Sequence, residues 1–226
     1  MGTQQTREHL IEAAESVIRR ASRLEDISVR RIVTEAGTNV SAISYHFTSL
    51  EGLTVATASK VYRRLNLARL TELQAAVSAA QPRPVPIKRI IRALIGTSVR
   101  WSVNPESPYA IFRYLRHVTS MSDHTEILKE IVNDVDHHTT FVHYLSQSAP
   151  WFTESEIRWR LTAALGVRSQ FTRQSHRAEV LTGESMTGDP EALIDSLCEI
   201  ISAMFQRPVA EHAPTPQQNP RVSNNV

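Results

Sequence analysis

The chain has 226 residues, 41% of them hydrophobic and 21% charged, with a formal net charge of +2. That is enough apolar material for one large domain or two small ones with a real core, and it excludes a chain disordered throughout. No apolar run approaches the ~18 residues of a membrane span, and the opening Met1-Gly2-Thr3-Gln4-Gln5-Thr6 lacks the basic and apolar regions of a secretory leader. Gly2 and Thr6 fit the loose myristoylation pattern, which chance supplies often. The single cysteine, Cys198, excludes an intrachain disulfide and a zinc site built on several thiolates, so a reducing, cytoplasmic setting without membrane attachment is expected. Glycine is scarce at seven residues, about 3% against roughly 7% in ordinary proteins. No dinucleotide fingerprint, phosphate-binding loop or nucleophile elbow is present. This composition suits a nearly all-helical chain.

In chain order, Leu10, Ala13, Ala14, Val17 and Ile18 share one face of a first helix. A loop at 22–27 follows, and Ser28 can cap a second helix that ends near Gly37. A short helix is predicted over 40–47, held to its predecessor by Val40 and Ile43. Thr48 and Glu51 have the spacing of a capping box, opening a long helix that runs to about residue 80. Pro82, Pro84 and Pro86 break it. The next helix turns Ile87, Ile90, Ile91, Leu94 and Ile95 inward and Lys88, Arg89, Arg92 and Arg100 outward. After a second break at 104–108, helices are expected at about 108–119, 123–147, 153–177 and 190–206. Thr153 with Glu156 forms another capping box, and Asp189-Pro190 is a cap followed by proline at the first helical position. From Arg207 the chain is rich in Pro, Gln and Asn and reads as a disordered tail. The sum is about nine helices and no strand, an all-α fold.

Residues 28–47 carry the strongest functional signal. Ile32, Val33 and Ala36 lie on the inner side of the second helix, and Gly37 falls where a helix-turn-helix needs a left-handed residue. The short helix then leaves Asn39, Ser41, Ala42, Ser44, Tyr45 and His46 wholly or partly outside. So few apolar residues make a poor core element but suit a helix laid in a major groove. A plain helical hairpin shares the helix–Gly–helix pattern. The longer run from Gly37 through Tyr45-His46-Phe47 to Leu53 resembles the signature of the TetR family of transcriptional repressors. In that family a Gly-led turn enters a short helix ending in an aromatic, His and Phe, and a Ser-capped helix with a Leu anchor follows. The resemblance covers about residues 6–60. It implies that Tyr45 and His46 contact phosphate, that Ser28 sits at a helix start touching the DNA backbone, and that Arg30 reaches a base or phosphate. Asn39, Ser41, Ala42 and Ser44 complete the reading surface. Ser44 stands where the family usually has Tyr, Leu50 where it has Lys, and Val33 where it has a small Ala. Residues 1–70 hold ten Lys/Arg and seven Asp/Glu, a net of +3, so the basic excess lies in this region.

The expected organisation is a three-helix DNA-binding module at 1–50, a ligand-binding and dimerisation domain at 51–206, and the tail at 207–226. In the last helix Leu193, Ile194, Leu197, Cys198, Ile200, Ile201, Met204 and Phe205 cover most of the circumference. Such a helix packs on two partners: its own domain and a second subunit, or two faces of one chain. The resemblance favours a four-helix bundle between subunits, with Leu193, Leu197, Ile201 and Met204 at the interface and Ala163, Ala164 and Gly166 allowing close approach. Trp101, Phe112, Leu115, Ile131, Val135, His138, Phe141 and Trp159 are the candidate lining of an effector pocket, each of them open to a plain core role. His138 shares the face of Leu128, Ile131, Val135, Val142 and Leu145, so it is either a satisfied core histidine or a ligand partner. Most arginines fall on outward faces; only Arg113, Arg116 and Arg168 approach inner stripes. An uncharged or amphipathic effector is therefore expected. Asp134, Asp136, His137, His138 and His143 supply one i, i+4 pair and no second, so no metal is expected. No cofactor and no enzymatic activity are expected either. The reading is a homodimeric repressor released from a pseudo-palindromic operator on double-stranded DNA by a small-molecule effector. The alternative is a helical interaction protein whose helix-turn-helix no longer binds DNA.

Overall fold

The computed structural model describes residues 2–118, 131, 136–173, 175–183, 185 and 188–208. The described residues form ten α-helices and one 3-10 turn, with no strand among them. In order these are α1 (Thr3–Arg20), the turn (Leu24–Asp26), α2 (Val29–Glu35), α3 (Val40–Phe47), α4 (Leu50–Ala80), α5 (Ile87–Val103), α6 (Ala110–Val118), α7 (Asp136–Ser148), α8 (Glu154–Arg173), α9 (Ser175–Thr182) and α10 (Pro190–Ala203). The all-α fold expected from the sequence is the fold observed.

α1, α2 and α3 close on a small core of Leu10, Ala14, Val17, Ile32, Val33, Ile43 and Phe47, with Leu53 of α4 as its floor. Caps fix where these helices start. Ser28 Oγ accepts from Arg31 N at 3.3 Å, and Asn39 Oδ1 accepts from Ala42 N at 3.2 Å. Gly37 sits at φ +63, a conformation that L side chains rarely adopt. Two local expectations need correction. Val40 is 55% exposed, and Phe47, one turn after Ile43, holds α3 down instead. The cap of α4 is Ser49, whose Oγ accepts from Gly52 N at 3.1 Å, not Thr48. Thr48 is used in turning the corner: it lies at φ 67, and Ser49 N donates across it to Phe47 O at 2.7 Å, a tight three-residue turn.

The 31 residues of α4 span about 46 Å at 1.5 Å per residue. The helix packs on α1 and α3 and on α5 and α6. Lys60 and Arg64, one turn apart, pair with Glu12 and Glu15 of α1 at 3.0 and 2.6 Å. α6 also packs on α1, through a cluster that includes Ile18, Val61, Ile111, Tyr114 and Leu115. Head and body are thus joined along a continuous apolar seam.

The body's main core gathers Leu73, Ile90, Leu94, Ile95, Phe141, Leu145, Ile157, Leu161, Ile194, Leu197 and Ile201. The outward basic residues of α5 meet the acidic stripe of α10: Arg92 pairs with Glu191 and Asp195, Lys88 with Glu199, and Arg100 with Glu191 at 2.6 Å, while Arg100 also reaches Glu72 of α4 at 3.0 Å. The capping box at Thr153 and Glu156 forms, and Asp189 Oδ1 accepts from Glu191 N at 2.9 Å with Pro190 at the first helical position. The single helix expected over 153–177 is two, α8 and α9. Of the helix expected over 123–147, residues 119–130 and 132–135 lie outside the described residues, as do 209–226 of the tail. No described helix is long and apolar enough to cross a membrane.

Candidate DNA-reading face and interior polar centre

The outer surface of α3 presents Val40, Ser41, Ser44 and Tyr45 side by side, all exposed, with Tyr45 at 76%. Spacings of one, three and four residues put them on one helical face. Ala42 and His46, four apart, flank this face half-buried, and the Tyr45 and His46 rings meet edge to face at 4.8 Å. Asn39 Oδ1 also accepts from Ser41 Oγ at 2.6 Å, so its carbonyl is occupied by the helix start. Arg30 is exposed near the start of α2 and pairs with no described carboxylate. Ser28 is half-buried, its hydroxyl engaged as the α2 cap. Leu50, in the place of the family's usual Lys, packs half-buried against the head core. Ser41, Ser44 and Tyr45 thus share one exposed face of α3 flanked by Ala42 and His46, Arg30 is exposed on α2, and Ser28 and Asn39 serve first as caps.

A second constellation lies inside the body. Arg69 of α4 is 1% exposed, between Leu65 and Leu73 one turn away on either side. Its Nη1 donates to Asn66 Oδ1 at 3.1 Å and its Nη2 to Ser98 Oγ of α5 at 2.5 Å. The same Ser98 Oγ receives Nη1 of Arg168 from α8 at 3.3 Å, and Arg168 Nη2 reaches Ser169 Oγ at 3.2 Å. Two cations sharing one acceptor at these distances lie within about 6 Å, a repulsion on the order of 3 kcal/mol at an effective dielectric of about 20. No described carboxylate pairs with either guanidinium. Nε of both arginines, Nδ2 of Asn66, Oγ1 of Thr172 and Nε2 of His138 are buried without a partner among the described residues. Burial, with the Arg168 charge second, pushes Arg69 down to about 10, and burial lowers Arg168 as well; Arg69 stays protonated at neutral pH. Burial first, then His137, Arg69 and Arg168, push His138 down to about 3, so its ring is neutral. The buried His137 stacks on it at 3.8 Å between centroids and approaches Tyr62 OH with its Nε2 at 3.4 Å.

Arg69 was missed in the sequence. The signal was there: Leu65, Arg69 and Leu73 repeat every four residues, which puts the arginine on the apolar face. Of the predicted pocket lining, Trp101, Phe112, Leu115 and Ile131 gather on the seam between head and body, and Phe141 lies in the main core. His138 stands beside the arginine pair. Val135 is outside the described residues. Trp159 does not line an interior pocket: it is 74% exposed, because Ile157 and Leu161 take the inward positions of α8. The predicted interface also needs correction. Leu197 and Ile201 are 1% and 0% exposed within a single chain, filled in by α5 and α8, while Leu193 and Met204 are half-buried at the core's edge. The outward face of α10 carries Ala192, Ser196, Ile200 and Ala203, beside an outward face of α8 with Trp159, Ala163 and Gly166.

A three-helix head and a helical body are joined by one long shared helix, α4. Residues 92–204 match the family model described as Tetracyclin repressor-like, C-terminal domain. Among solved structures the chain is similar to the multidrug binding protein EbrR complexed with imidazole, at 17% identity over 90% of this chain and 97% of that one, with a TM-score of 0.55. It is also similar to a transcriptional regulator from Rhodococcus sp. Rha1, at 20% identity over 88% of this chain and 95% of that one, with a TM-score of 0.57. No curated protein matches it. The chain belongs to the TetR family of transcriptional regulators.

Proposed function

We propose that this regulator is a cytoplasmic homodimer that binds a pseudo-palindromic operator through α3 and releases it when a small molecule enters the body, as a repressor does. The observation that carries the reading is the outer face of α3, where Ser41, Ser44 and Tyr45 are exposed on a helix otherwise anchored by Ile43 and Phe47. Small hydroxyls on such a face suit base edges, and Tyr45, His46 and Arg30 suit phosphates. Residues 1–50 are assigned to DNA reading and 51–206 to effector binding and dimerisation. Two copies meeting through the outward faces of α8 and α10 would set their reading helices apart by one groove repeat of roughly 34 Å or a multiple of it. The likeness to EbrR, solved with imidazole and with ethidium, supports a small-molecule site in the body.

Binding to DNA from the chain's own promoter region, measured at several salt concentrations, tests this. Affinity should fall steeply with salt, as phosphate contacts require. Tyr45→Ala should weaken binding on every sequence by ~1 kcal/mol or more, whereas Ser41 or Ser44 substitutions should change which operator is preferred. Salt-insensitive or absent binding by the folded protein would refute the reading and leave an interaction protein with a degenerate helix-turn-helix.

A further inference from the structure

The polar atoms left over at the interior centre are mostly donors. They are the two Nε–H groups of Arg69 and Arg168, the Nδ2 amide of Asn66 and the hydroxyl of Thr172, together with one ring nitrogen of the neutral His138. A buried network left half-satisfied is worse than an apolar core, and two guanidiniums without an anion are worse still. Each arginine uses Nη atoms on neutral oxygens and leaves its Nε edge buried without a partner among the described residues. That edge, with its adjacent Nη, is the fork that grips a carboxylate or phosphate with two parallel hydrogen bonds. A cation would be repelled here, and an apolar molecule would satisfy none of the donors. A groove of about 580 Å³ runs between α4 and α7, lined by Leu70, Leu73, Ala75, Thr140 and Tyr144 among others. It lies on the same two helices that carry Arg69 and His138.

We propose that Arg69 and Arg168, bridged by Ser98, form the binding site for the anionic head, carboxylate or phosphate, of an amphipathic effector whose apolar body follows the helices around it. This identifies the effector class for the regulator proposed above and rests on that reading. It narrows the uncharged or amphipathic effector expected from the sequence to an amphipathic anion, with the charge at the centre of the body. Placement gives the site a means of acting. Arg69 lies on α4, whose first turn abuts α3, and Arg168 lies on α8, whose outer face is assigned to the partner subunit. An anion that bonds both arginines changes the spacing of those two helices.

The test is calorimetric titration of the full-length protein with decanoate, decyl phosphate, decan-1-ol and decyltrimethylammonium, with inorganic phosphate probing the head site alone. Decanoate or decyl phosphate should bind about tenfold more tightly or better than decan-1-ol, the scale of a charge-assisted hydrogen bond; the quaternary amine should not bind. The stronger of the two anions assigns the head group. Arg168→Met should abolish the preference for the anion and leave decan-1-ol unchanged. If that variant fails to fold, the head-group series on the unaltered protein decides alone. Equal affinity for decan-1-ol and both anions, or no binding of any anion, overturns the proposal, as does an anion preference that survives Arg168→Met. Promoter binding by the ligand-free protein is measured in parallel. If it persists while anion preference is absent, this site fails and the regulator stands; if it is absent while anion preference holds, the regulator reading fails.

Discussion

Gly52 in the first turn of α4 closes directly against the end of α3, the helix proposed to read DNA. A Cβ there would stand 2.2 Å from Phe47 O, the last carbonyl of α3, and that neighbour is backbone that cannot swing aside. Ordinary contact needs about 3.4 Å, so Gly52→Ala must push the end of α3 away by roughly 1 Å. Overpacking of this kind costs about 1–3 kcal/mol, and the head core of Ile43, Phe47 and Leu53 absorbs part of it by tilting α3. Hydrogen bonds to base edges tolerate only a few tenths of an ångström. A displaced reading helix therefore loses at least one base contact per half-site, worth about 1–3 kcal/mol each, which is a ten- to hundred-fold or greater loss of operator affinity. Gel-shift titration beside a thermal melt separates the two effects: affinity should collapse while the melting point falls by several degrees at most. Wild-type affinity in a Gly52→Ala protein would show that the corner between α3 and α4 does not set the pose of the reading helix.

Three further outcomes are expected. Ile200→Glu, which places a charge on the outward face of α10 at a residue 56% exposed in the single chain, should give folded monomers in sedimentation; Leu197→Glu, at 1% exposure, should unfold the body instead, and a dimeric Ile200→Glu protein would move the interface elsewhere. Thr48→Gly should stabilise the protein by ~1 kcal/mol in urea unfolding, because a β-branched residue at φ 67 is replaced by one free to adopt it, and no gain would refute the strain at that turn. His138, held down to about 3 among His137, Arg69 and Arg168, makes stability depend on acid: the unfolded chain takes up its proton near pH 6.5 and the folded one does not, so stability is full above that pH and falls by up to ~1.4 kcal/mol per unit as pH drops towards 3. His138→Phe should flatten the urea-midpoint curve between about pH 6 and 4, and equal slopes would contradict a buried neutral ring.

The head was legible because its determinants are local. Cap residues, the left-handed Gly37 and the i, i+4 pair of Ile43 and Phe47 act within a few residues, so reading along the chain finds them. Of the two local errors, assigning the α4 cap to Thr48 in place of Ser49 came from a three-residue turn whose geometry depends on how closely α3 and α4 approach. The body was harder because periodicity says that a residue is apolar, not which neighbour covers it. Leu197 and Ile201 fit a subunit interface as well as a core; the close fit of α10 on α5 decides for the core, and the ion pairs from Arg92 and Arg100 fix the helix rotation. Trp159 failed for the same reason in reverse, since an aromatic residue was taken as inward on a helix that turns Ile157 and Leu161 inward instead.

The buried arginine pair also changes what α4 does. Glu12 and Glu15 bind its Lys60 and Arg64 from α1, Leu53 roofs the head core, and Gly52 touches the end of α3. Those contacts lie between residues 52 and 64. Arg69 follows only five residues later, about 8 Å along the axis, and reaches across to Ser98 and thence to Arg168. Gly52, against the end of α3, lies seventeen residues or about 26 Å before Arg69 on the same unbroken helix. A shift of α4 along or about its axis therefore reaches α3 without passing through a mobile loop. The repulsion between the two arginines favours their separation, and the proposed anion, attracted to both, would offset it. On the anion-site proposal, what an effector would bias is the spacing between α4 and α8, which the Ser98 hydroxyl of α5 bridges through Arg69 and Arg168.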